Sequence, residues 1–91
     1  IFMDSFLQKG SYMDCGMFIQ SIMLSAIEHG LATCPQAALG EYPDIVREEL
    51  SYAEDKLLLC GIALGYEDKS EIVNSYRTPR KELDNMVRYF S

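Results

Sequence analysis

The sequence predicts an α+β fold that cannot close its sheet from its own strands. Three observations carry this expectation. Residues 12–29, from Tyr12 to His29, read as a helix that is apolar on nearly every side. Residues 56–64 read as a strand covered on both faces, because Leu57–Cys60 is a continuous apolar run. Only residues 1–3 resemble a second strand, and a central strand cannot satisfy its backbone alone. The missing strands are expected from a segment N-terminal to these residues, from a partner chain, or from both.

The elements follow in order. The chain opens on IFMDSF without an initiator Met, and residues 1–3 read as the tail of a strand in a truncated or processed product. Ser11 is expected to cap the long helix, with Asp14 three residues on as its capping-box partner. Met13, Met17, Phe18, Ile19, Ile22, Met23, Leu24, Ala26 and Ile27 cover more than one face of it. A helix of this kind is buried inside a larger body or between subunits. Gly30 supplies the left-handed residue that ends the helix, and Leu31 packs back on the last turn. Residues 32–40, with Pro35, are expected to form a loop.

Pro43 suits the first turn of a short helix over Pro43–Leu50, with Asp44 near its positive end. Residues 51–55 are a polar connection to the strand, which Gly65 and the acidic residues 67–71 end. A last helix is expected from Thr78-Pro79, with Leu83, Met86, Val87 and Phe90 at helical spacing.

Composition bounds the function. The 91 residues form at most one small domain, and its core is thin unless a partner adds to it. A net charge of -6 argues against nucleic acid and anionic membrane surfaces, which need clustered Lys and Arg. No apolar run approaches a membrane span. Cys15, Cys34 and Cys60 read as reduced thiols of a cytoplasmic protein. With one histidine, His29, and no CxxC, no metal site is expected. The five methionines read as flexible packing, and Glu28, Glu41 and Asp44 as surface charges.

Five segments in register carry a family resemblance. They are Gly10-Ser11-Tyr12 with the long helix and Gln20; Gly30-Leu31 with Thr33-Cys34-Pro35-Gln36-Ala37-Ala38; Glu41-Tyr42-Pro43-Asp44; Cys60-Gly61-Ile62-Ala63-Leu64-Gly65-Tyr66; and Arg77-Thr78-Pro79-Arg80. This order resembles the C-terminal part of the FMN-dependent nitroreductase family, in particular its nitrobenzoate-reductase branch. The resemblance implies that residues 1–91 are the C-terminal part of a single nitroreductase-like domain. It implies a homodimer built on the helix from Tyr12 to His29, with FMN at the interface. NAD(P)H would reduce the flavin, and a nitroaromatic or quinone would then be reduced in the same pocket by a ping-pong cycle.

The resemblance also places residues. Pro35, Gln36, Ala37 and Ala38 match the loop lying against the isoalloxazine ring, with the backbone N–H groups of Ala37 and Ala38 directed at it. Read without the family, this segment is a tight turn set by Pro35. Arg77 matches the basic residue that reaches the FMN phosphate, and guanidinium suits phosphate by its planar fork of donors. Ser75 stands where many relatives carry a second basic residue. Read without the family, both arginines form a solvated basic patch, and Arg80, closer to the last helix, has Asp84 as an alternative partner. The family pattern requires no protein acid, so no catalytic residue is named. A second reading, of another class, is a cofactor-free helical dimerisation module derived from the same fold.

Overall fold

A computed structural model describes all of Ile1–Ser91. The order is β1 (Phe2–Asp4), α1 (Lys9–Glu28), β2 (Ala32–Gln36), a 3₁₀ turn (Ala37–Glu41), α2 (Pro43–Leu50), β3 (Lys56–Leu58) and β4 (Gly61–Gly65), with short 3₁₀ turns at Ile72–Ser75 and Leu83–Asn85.

α1 begins at Lys9, earlier than the expected cap. Leu7 N–H donates to Asp4 O at 3.1 Å, so the chain turns directly out of β1 into the helix. Gln8 is the N-cap and makes no side-chain cap bond. Ser11 lies inside the first turn, and the Ser11–Asp14 capping box does not form. The other end is as expected. Gly30 has φ +70°, its N–H donates to Ile27 O at 3.0 Å, and Leu31 N–H reaches Ala26 O at 2.9 Å. These two bonds satisfy carbonyls that the helix end would otherwise orphan.

The expected loop over residues 32–40 is a strand followed by a 3₁₀ turn. β2 pairs antiparallel with β4 from Ala32↔Gly65 to Gln36↔Gly61. Pro35 misled the loop expectation because proline cannot donate to a ladder. Here Pro35↔Ile62 is a pair that exchanges no bonds, and Cys34↔Ala63 is the pair that does. The Pro35 nitrogen therefore faces the outer edge of β2.

The single strand expected over residues 56–64 is split in two. β3 pairs antiparallel with β1, Phe2↔Leu58 to Asp4↔Lys56, so the strand read at residues 1–3 is present and is itself a partner of the 56–64 segment. Leu59 N–H donates to Ile1 O at 3.0 Å, while the Ile1 amino group donates to Cys60 O at 2.9 Å. Two residues thus oppose one, a β-bulge. The Leu58 and Leu59 carbonyls turn the other way, 3.4 and 3.2 Å from where a Cβ on Gly40 would lie. The bulge reverses which residues face which side. β1 consequently lies on one edge of this segment and β2 on the opposite edge.

α2 starts on Pro43 with Asp44 in its first turn, and ends at Ser51, whose φ is +52°. Tyr52 Oη donates to Pro43 O at 2.9 Å, the Arg47 guanidinium lies 5.1 Å from the Tyr52 ring centroid, and Phe2 packs 4.4 Å from the same ring. This stack ties α2 to β1.

Only Met3, Ala26, Leu58 and Cys60 are buried. The apolar face of α1 is open: Met13, Met17, Phe18, Leu24 and Ile27 are 57–69% exposed. The helix expected from Thr78-Pro79 does not form beyond the turn Leu83–Asn85. Leu83, Met86 and Phe90 are all exposed there, and a short helix without a surface to pack on is marginal. Arg80 donates to the Thr78 carbonyl at 3.0 Å instead of pairing with Asp84.

Candidate functional site

Two clusters stand on the β2–β4 ladder. At its Gln36/Gly61 end, Pro35 and Gln36 finish β2 and Ala37 opens the 3₁₀ turn. All four residues Pro35–Ala38 are exposed. Gln36 gives no side-chain cap, so the first N–H groups of the turn lack a partner within it. The turn is held flat against β4: a Cβ on Gly61 would come within 2.2 Å of Leu39 Cδ1. Glycine at 61 is what lets Leu39 seat there.

The second cluster is at the other end. A recess of about 610 Å³ lies between β2, the end of β4 and the segment that follows, with Cys34, Ala63, Tyr66 and Arg77 among its walls. Arg77 Nη1 donates to Asn74 O at 2.6 Å and Tyr76 O at 3.1 Å. These bonds set the guanidinium, which is 77% exposed and 3.8 Å from the Glu67 carboxylate. Donors remain free for an anion, against a local opposing charge. Ser75 does not line the recess. Its hydroxyl donates to Ile72 O at 2.7 Å and only tightens its own turn.

The structure therefore brings Arg77 beside β2 and leaves Pro35–Ala38 one level along the same strand. Cys34 and Ala37 are three residue steps apart, about 10 Å of extended chain.

One feature of this rim was missed in the sequence. Asp68 accepts from the Ser70 N–H at 2.9 Å and its hydroxyl at 2.6 Å, and Asn74 Nδ2 donates to Asp68 O at 2.7 Å. The Ser70 bonds hold the Asp68 carboxyl below its ordinary value of 3.8. Asp-Lys-Ser at 68–70 is a turn signature that could have shown it. The turn fixes Asn74, whose carbonyl in turn fixes Arg77.

A model of the nitroreductase family matches residues 4–66, more than half of the chain. The chain belongs to the nitroreductase family. It is 39% identical over 86 residues to a 4-nitrobenzoate reductase of Pseudomonas putida, covering 94% of this chain and 38% of that protein. It is 45% identical over 76 residues to nitroreductase NfnB of Mycolicibacterium smegmatis, covering 84% and 32%. Among solved structures, the FMN and NADPH-dependent nitroreductase NfnB from sphigopyxis sp. strain HMH superposes with a TM-score of 0.94 at 36% identity, over 99% of this chain and 40% of that one. The FMN-dependent NfnB from Mycobacterium smegmatis in complex with NADPH gives 0.92 at 39% identity, over 99% and 40%. The fold is that of nitroreductases, and the chain spans about two-fifths of the length of these relatives or less.

Proposed function

We propose that residues 1–91 are the C-terminal part of a single nitroreductase domain, in a cytoplasmic FMN-dependent NAD(P)H oxidoreductase that reduces nitroaromatics or quinones by a ping-pong cycle. The observation that carries this reading is the superposition over nearly the whole chain on proteins described as FMN- and NADPH-dependent. Bound FMN would supply the hydride relay between the nicotinamide and the acceptor.

The chain's own residues have positioning work to do. The 3₁₀ turn offers the Ala37 and Ala38 N–H groups to an acceptor on the flavin ring, and their methyl side chains let the backbone come close. The Leu39–Gly61 contact holds that turn in place. Arg77 offers its free donors to the phosphate. Glu67 moderates the attraction, and Ser75 contributes nothing directly because its hydroxyl is occupied. These two donor groups, past opposite ends of the β2–β4 ladder, suit an elongated mononucleotide with a flat head and an anionic tail.

The open apolar face of α1 supports a homodimer. Burying the five side chains named above would recover roughly 1–2 kcal/mol each, before the cost of association. That face would also keep water from a site at the interface.

The test is the visible spectrum of the purified natural protein, with intact mass and sedimentation on the same sample. A flavin spectrum from a dimer, released as FMN on denaturation, is the expected result. A colourless protein that cannot be loaded with FMN would refute the oxidoreductase reading. If that protein were also a stable dimer, the dimerisation module would replace it.

A further inference from the structure

We propose that Gly40 and Gly61 are positioning residues: together they leave the space in which the turn Ala37–Glu41 docks, and so fix where the Ala37 and Ala38 N–H groups stand. This rests on the reading of those N–H groups as donors to the flavin ring, and it names what holds them in place.

Contacts made by two consecutive residues of the turn point to this role. Leu39 lies over β4 at Gly61, where a Cβ would strike its Cδ1. Leu39 is 40% exposed, so its seat orients the turn more than it fills a core. Gly40 rests on a different part of the chain. A Cβ there would lie 3.2 Å from the Leu59 carbonyl oxygen and 3.4 Å from that of Leu58, at the junction of β3 and β4. The Tyr42 N–H donates to Leu39 O at 3.3 Å and closes the turn ahead of Pro43. The C-terminal half of the turn is therefore held at three points. Ala37 and Ala38 precede it by one to three residues, at about 2 Å of rise each, so their N–H groups move with it.

Backbone freedom explains neither glycine. Gly30 is the glycine with a positive φ, so alanine can adopt the backbone at 40 and at 61. Glycine loses more freedom on folding than any other residue, which makes it a cost where φ does not demand it. What excludes alanine is space. At 61 the Leu39 methyl group must swing out of its seat. At 40 two backbone carbonyls must give by a few tenths of an ångström. A donor pair needs placement within about 0.5 Å, so displacements on this scale matter to binding and little to the fold.

The test uses the natural full-length protein with Gly40→Ala, Gly61→Ala, Leu39→Ala and the double variant Leu39→Ala/Gly61→Ala. Residual dipolar couplings read the Ala37 and Ala38 N–H orientations in the flavin-free protein. Fluorescence titration reads FMN affinity, and urea unfolding reads stability. Either glycine substitution should turn these N–H bonds and weaken FMN binding roughly fivefold, the scale of one hydrogen bond. The urea midpoint should stay near the parent's, because alanine also narrows the unfolded ensemble. Leu39→Ala, which adds no atoms, should turn the same bonds; in its background Gly61→Ala should have no further effect, since the methyl group it strikes is gone. Unchanged orientations in the glycine variants or in Leu39→Ala overturn the proposal, as does a Gly61→Ala effect that adds in full to that of Leu39→Ala. An affinity loss that only tracks a lowered urea midpoint also overturns it, by assigning the glycines to stability. The orientations are read without flavin, so turned N–H bonds in a protein that binds no FMN refute the proposed function and leave the positioning of the turn standing.

Discussion

Replacing Gly30 by alanine tests the backbone logic at the end of α1. A Cβ at Gly30 would meet nothing within 4 Å, so packing does not oppose the change. The opposition is conformational, because φ is +70°. An L-residue in the left-handed region costs about 1–2 kcal/mol. Alanine also narrows the unfolded ensemble, which returns about 0.4–1 kcal/mol. The expected net loss is about 1 kcal/mol, and asparagine at the same position should cost less. Gly16→Ala is the opposing case. It lies in the middle of α1 on the same face as Met13 and Ile27, with open space around its Cβ in this chain, and should gain about 0.5–1 kcal/mol as alanine unless the proposed dimer partner covers that face. Equilibrium urea unfolding of the natural protein reads both. With a slope of about 2 kcal/mol/M, the Gly30→Ala midpoint should fall by roughly 0.5 M at unchanged slope. A Gly30→Ala protein as stable as the parent would refute the reasoning. A destabilised Gly16→Ala would show that another surface packs against that helix face.

Other predictions concern the rim of the recess. Arg77→Gln removes a charge-assisted contact worth about 1.5–3 kcal/mol, so fluorescence titration should show FMN binding weakened by roughly 10- to 150-fold; Ser75→Ala should leave it unchanged, and equal affinities for the parent and Arg77→Gln would sink the phosphate role. The Asp68 carboxyl should titrate below 3.8 when followed by its NMR side-chain shift. Since its folded value lies below the unfolded one, the stabilisation of the turn is complete above the unfolded value and is lost as pH falls through the folded one. A midpoint at or above the ordinary value would contradict the Ser70 bonds.

Local signals were legible where chemistry acts over a few residues. Gly30-Leu31 specified the end of α1, and Pro43-Asp44 specified the start of α2, because caps are set by near neighbours. Residues 32–36 were not legible as a strand. Pro35 reads as a breaker unless one knows that its nitrogen faces an open edge, and that depends on the register with β4. The bulge at Leu59–Cys60 was hidden for the same reason, since an apolar run does not reveal where two different partners divide it. The spacing of Leu83, Met86, Val87 and Phe90 pointed to a helix, but periodicity describes a face and not the surface that must meet it. For the candidate site, the family motifs pointed to Arg77 and Pro35–Ala38. They did not show that Ser75 is engaged by its own turn, nor that Asp68 and Asn74 set the Arg77 side chain.

The division of labour at the bulge also sets an order of assembly. Gln36 and Gly61, at the inner end of the β2–β4 ladder, are separated by less than half the chain length that separates Phe2 from Leu58. Each doubling of loop length adds roughly 0.6 kcal/mol to the entropy of closure. The β2–β4 hairpin, with α2 inside its loop, should therefore close first on refolding, and β1 should dock onto β3 afterwards. Pulse-labelled exchange would show the Ala63 amide protected before that of Leu57, and the reverse order would assign nucleation to the α1 side. A chain that pairs its nearer strands first leaves the edge of β3 that receives β1 exposed in its earliest intermediate, so that edge is where misassembly during synthesis would begin.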